Sequence, residues 1–155
     1  MFGLAGFSAV SIEVSNFMSG KICLELEGKP VCRQEEDIVI SGEGTCVWAG
    51  EKKPCTWFGF QFDYKIAQDE TAVECEWETS RTTTSGDIEE VLETNTTSGS
   101  YTIELEASKG HYIHYQYHLY KRLPAGQNLV TTTTDCSVGG TRAFNMTHHF
   151  IFPVF

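Results

Sequence analysis

Apolar and polar residues alternate with a period of two along most of this chain. Val10, Ile12 and Val14 alternate with Ser11, Glu13 and Ser15, and Ile22, Leu24 and Leu26 with Cys23, Glu25 and Glu27. The longest run sets Phe58, Phe60, Phe62, Tyr64 and Ile66 against Trp57, Gly59, Gln61 and Asp63. Further runs centre on Val73-x-Cys75-x-Trp77, Ile103-x-Leu105-x-Ala107 and Ile113-x-Tyr115-x-Tyr117-x-Leu119. A last one carries Phe144, Met146, Phe150 and Phe152, with His148 on the same parity. Successive side chains of a strand point to opposite faces, so this pattern predicts strands with one buried and one solvated face.

Clean alternation belongs to antiparallel sheets. Roughly ten short strands at intervals near ten residues predict an all-β protein, an antiparallel sandwich rather than a helical fold. The one helical candidate is Asp87–Glu93, where Ile88, Val91 and Leu92 fit a spacing of three and four; it reads equally as a strand. Residues 80–100 are rich in Ser, Thr and Gly and read as an excursion between two strands. Thr131–Thr134 suits an exposed strand. At 155 residues the chain is expected to form a single domain, with residues 1–9 as a trimmed leader stub or an extended arm.

The six cysteines change the picture of compartment. Cys23 and Cys32 enclose eight residues, as do Cys46 and Cys55, and each stretch has Gly followed by Lys-Pro before the second cysteine. That is the composition of a chain reversing direction. Zinc sites want pairs two to four residues apart, so disulfides are expected instead, and with them an extracellular or periplasmic location. Nearest neighbours give Cys23–Cys32, Cys46–Cys55 and Cys75–Cys136 among the 15 connectivities that six cysteines allow. Asn95 and Asn145 head Asn-x-Thr triplets and are candidate glycan sites.

A net charge of −10 argues against nucleic acid and against simple attraction to anionic lipid surfaces. No nucleophile elbow and no phosphate-cradling glycine loop is present, and Gly139-Gly140 reads as a turn. The carboxylate row Glu74-x-Glu76-x-Glu78 lies on one open face, not across a cleft. His114 and His118 stand about 13 Å apart along their strand and cannot share an ion. An enzyme, a metal site and a cofactor are therefore not expected. The better clue is aromatic. Trp57 falls opposite the phenylalanine row, and Trp48 lies inside the second cysteine loop. With Tyr112, His114, His118 and Tyr120 they are candidate binding residues, a platform for sugars or lipid headgroups unless a neighbouring strand covers them.

Ile12-Glu13-Val14-Ser15-Asn16, Asp37-Ile38-Val39-Ile40, Gly44, Cys46-Val47-Trp48 and Trp57 through Tyr64 together resemble the front half of actinoporin-like and aegerolysin-like proteins. The resemblance covers about residues 10–66 and implies a small secreted sandwich of a lipid-binding, often pore-forming kind. The aromatic, proline-containing stretch by which actinoporins recognise phosphocholine has no counterpart here, and the N-terminus is too short for their pore-lining helix. The expectation is a secreted, non-enzymatic binding module for membrane lipid or glycan, with membrane damage as its extreme form. The alternative is a structural or adhesive subunit of an extracellular assembly, joined by strand addition through the arm Met1–Val14 or the aromatic tail Phe150–Phe155.

Overall fold

A computed structural model describes residues 12–67, 70–82, 85–87, 92–93, 96–106 and 110–155. Its strands are β1 (Ile12–Lys21), β2 (Asp37–Val39), β3 (Gly44–Trp48), β4 (Glu51–Ile66), β5 (Glu70–Thr79), β6 (Ser85–Asp87), β7 (Leu92–Glu93), β8 (Ser98–Glu106), β9 (His111–Leu119), β10 (Leu129–Val138) and β11 (Thr141–Ile151). No helix occurs among the described residues. Of the helical candidate, Asp87, Leu92 and Glu93 lie in strands, and 88–91 fall outside the described residues.

The strands form two sheets. The first runs β1-β4-β9-β6-β7, with β3 also on β4; the second runs β2-β11-β10-β5-β8. β4 is long enough to hold β1 along Phe58–Ile66 and β3 along Glu51–Cys55, end to end on one edge. Two hairpins are closed by paired left-handed residues, Ala49-Gly50 between β3 and β4 and Gly139-Gly140 between β10 and β11. Positive φ at both turn positions is the type I′ geometry, whose twist matches that of the flanking strands.

The core fills the space between the sheets as the alternation predicts. Phe60, Phe62 and Tyr64 of β4 meet Val73, Cys75, Ile103, Leu105, Cys136, Phe144 and Met146. Phe17 is turned into this cluster by a bulge between Ser15 and Met18, with its ring 5.1 Å from that of Phe144. Cys75 and Cys136 stand directly opposite on β5 and β10 and are disulfide-bonded. Closing a loop of 61 residues lowers the entropy of the unfolded chain by about 4 kcal/mol.

Strand β9 reverses the expected orientation. Its register sets Tyr112, His114 and Gln116 opposite Phe62, Phe60 and Phe58, and His118 opposite Thr56. Directly paired residues share a face. The polar-looking set therefore points into the sandwich, and Ile113, Tyr115, Tyr117 and Leu119 point outward. The outward set is not bare. The Cys23–Cys32 disulfide pins a loop across it, and the Tyr115 hydroxyl donates to the carbonyls of Gly28 and Lys29 at 3.0 and 2.9 Å. Inside, the imidazoles pack as aromatic rings. His114 stacks on Phe60 and Tyr101 at 4.9 and 4.7 Å, and His118 stacks on Phe58 at 5.1 Å. Both faces of β9 are covered, so alternation alone cannot tell which of them points inward.

The same loop overturns the expected strand over Ile22–Leu26. Ile22 makes a single bridge to Val31, and residues 23–30 are turn and loop. Residues 28 and 29 both take positive φ, which turns the chain back too tightly for a ladder. Thr131–Thr134 does form strand, but Thr134 is buried and only Thr133 is exposed.

Candidate functional site: the hairpin end of the sandwich

One end of the sandwich gathers the Ala49-Gly50 hairpin, the loop 120–128 after β9, the end of β2 and the C-terminal segment. Thr56 ties the two layers together there. Its buried hydroxyl accepts from the Ser41 N–H and donates to the Ser41 carbonyl, both at 2.7 Å. Beneath lies a second core of Ile38, Ile40, Phe58, Val130, Phe150 and Phe152. Two histidines enter it. His118 meets Phe150 and Phe152 edge-on, and His148 lies 5.8 Å from Phe58 and 5.7 Å from Phe150. Burial, and then the neighbouring His149, push the His148 pKa down to about 4, so it is neutral at ordinary pH.

The exposed apolar side chains collect at this end. Among the described residues seven large hydrophobics are exposed, and all but Leu26 sit here: Val39, Val47, Tyr120, Leu129, Val154 and Phe155. The register explains the first cluster. Val39, Ile151 and Leu129 occupy one rung of β2-β11-β10 on the outer face. Their neighbours in sequence, Ile38, Val130, Phe150 and Phe152, face inward and are buried. The tail beyond is docked. Phe152 N–H donates to Asn128 O at 2.8 Å, Leu123 N–H to Pro153 O at 2.9 Å and the Arg122 guanidinium to Val154 O at 3.1 Å. Phe150–Phe155 is thus not a free donor strand: Phe150 and Phe152 are core, and Ile151, Val154 and Phe155 face outward. The other expected donor, Met1–Val14, lies outside the described residues up to position 11, and Ile12–Val14 are already paired with β4.

The expected aromatic platform is only partly assembled. Trp48 and Trp57 share the outer face of the first sheet, half-buried with Tyr117, Leu119, Cys46 and Cys55. Trp57 donates to Thr45 O at 3.1 Å and meets Tyr117 edge-on at 5.0 Å, so it is largely structural. Tyr120 is exposed beside Gly42. Tyr112, His114 and His118 face the core, so they do not join this surface. The apolar rung of Val39, Ile151 and Leu129 is hidden in the sequence, because Val39 and Ile151 sit between buried apolar neighbours and Leu129 precedes the buried Val130.

The second expected disulfide is absent. Cys46 and Cys55 are buried free thiols. The two-residue turn sets Cys46 opposite Lys53 and Cys55 opposite Gly44, which leaves the sulfurs on a diagonal, hydrogen-bonded to each other. Diagonal neighbours lie farther apart than the roughly 3.8 Å between Cβ atoms that a disulfide prefers. Burial raises the pKa of both thiols, Cys55 the more, which keeps them protonated and unreactive.

The rest of the second sheet's outer face, which carries the apolar rung, is acidic, with Asp37, Glu70, Glu74, Glu76, Glu78, Glu104, Glu106 and Asp135 all exposed. Asn145 is exposed on this face, beside Asp135 on the neighbouring strand; Asn95 lies outside the described residues. At the far end Asp63 accepts from Asn16 at 2.8 Å and meets His111 at 2.7 Å, and these two contacts hold its carboxyl below the usual range.

No protein-family model and no curated protein matches the chain. Among solved structures, the N-terminal domain of PorA aligns at 9% identity over 92% of this chain and 97% of that one, with a TM-score of 0.39. So distant a likeness carries no argument about function. The two disulfides fit an extracellular or periplasmic protein. Among the described residues no helix is long and apolar enough to cross a membrane.

Proposed function

We propose that this chain is a secreted, non-enzymatic binding module whose hairpin end rests in the headgroup layer of a lipid bilayer. The observation that carries the reading is the concentration of exposed apolar side chains at that one end. Folded chains scatter single apolar residues over their surface; a rimmed cluster marks a contact. The half-exposed indole of Trp48 and the phenol of Tyr120 add groups that favour the boundary between water and hydrocarbon. The partial resemblance to actinoporin-like and aegerolysin-like proteins supports the same reading. Glycan recognition is less favoured, because Trp57 and Tyr112 are committed to packing.

Co-sedimentation with liposomes tests this. The chain is expected to pellet with vesicles. Val39→Ser combined with Leu129→Ser is expected to weaken partitioning by about 2 kcal/mol, roughly 30-fold, from lost apolar burial. Both positions are solvent-exposed, so the fold tolerates the change. Absence of binding to every lipid mixture would remove the reading.

A further inference from the structure

The sign of the chain as a whole hides how its charge is distributed. Four of the 11 lysines and arginines stand at the hairpin end: Lys52 and Lys53 where β4 begins, and Lys121 and Arg122 just after β9. Lys52, Lys121 and Arg122 are exposed. Glu51 pairs with Lys53 at 3.3 Å and Glu43 with Lys21, whereas Glu36 and Asp37 are exposed at the β2 edge of the same end. With Asp37, eight exposed carboxylates lie on the second sheet's outer face, along the flank of the sandwich, with Arg142 bound to Asp135 at 3.0 Å. Cations therefore stand at the hairpin end, and the anions run from Asp37, beside the apolar rung, along the rest of the second sheet's outer face.

Resting on the lipid reading above, we propose that the hairpin end selects bilayers that carry anionic phospholipid headgroups, and that the chain docks on them upright. Cations around an apolar tip gain energy from the negative surface potential, which decays within about 10 Å at ordinary salt. Upright docking brings Lys52, Lys121 and Arg122 inside that distance and keeps the acidic flank perpendicular to the surface. Side-on docking through the second sheet would press eight carboxylates against lipid phosphates. Net charge governs attraction at long range, and the local cations govern it at contact.

The test uses vesicles of phosphatidylcholine alone and vesicles that also contain phosphatidylserine, with the intact chain and with Lys52→Gln combined with Lys121→Gln. The intact chain is expected to bind the anionic vesicles more tightly, and added salt is expected to erase the difference. The double variant is expected to lose about 30-fold on anionic vesicles, at roughly fivefold per charge, with no change on neutral ones. Equal binding of the intact chain to both vesicles would overturn the selectivity and leave the lipid reading standing. Absence of binding to either would remove both. Equal loss by the variant on both vesicles would show that the lysines act through the fold, and near-ultraviolet circular dichroism of the free variant would detect the damage.

Discussion

Lowering the pH should destabilise the fold through His148. Its ring is buried against Phe58 and Phe150, and its pKa falls from 6.5 to about 4 because burial penalises the cation. The unfolded chain leaves the same imidazole in water, so it protonates first. The folded state therefore keeps its full stability above pH 6.5 and loses it as the pH falls through the window down to about 4. Between those limits the penalty grows at about 1.4 kcal/mol per pH unit and reaches about 3 kcal/mol. Domains of this kind are stable by about 5–15 kcal/mol, so the loss is large. Urea unfolding followed by tryptophan fluorescence at several pH values between 7.5 and 4 measures it. Other groups titrate over the same range, so the informative quantity is the difference between the native chain and His148→Leu. The native chain should lose about 3 kcal/mol relative to the variant across the window. Parallel curves for the two proteins would refute the argument, because they would mean that the ring is wetted or partnered when charged.

Two further outcomes follow from the packing. Gly59→Ala should cost at least about 3 kcal/mol, since its methyl would run into the His114 carbonyl across the β4–β9 ladder; a loss under 1 kcal/mol in chemical denaturation would mean that this approach is looser. Thiol titration of the unreduced chain should find two thiols in denaturant, Cys46 and Cys55, and very slow reaction in the native state. None would mean that the β3–β4 register allows the bond; six would mean that the disulfides do not form.

Much of the architecture is legible in the chain because strand alternation is a local property. The Phe58–Tyr64 row, the Val73–Cys75 strand and the Phe144–Phe152 strand bury the side chains that their parity indicates. Gly139-Gly140 is the turn that it looks like. Other features depend on partners distant in sequence. Cys23–Cys32 and Cys46–Cys55 have the same spacing, yet only the first pair bonds. It lies in a loop free to close, whereas the second lies in a ladder whose two-residue turn holds the sulfurs out of direct opposition. A turn two residues longer would have set them face to face.

The binding surface shows the same division. Trp48, inside the second cysteine loop, and Tyr120, at the end of its strand, stand out in the sequence as candidate surface aromatics, and both reach the hairpin end. Val39, Leu129 and Ile151 give no such signal, since they become a surface only where three strands meet in register. The chain's own pattern thus settles that it folds into pleated sheets around an aromatic core, because backbone geometry converts alternation directly into two faces. Which face of β9 is buried, which cysteines bond and where the cations gather depend on neighbours tens of residues away. Only the packed fold brings those together.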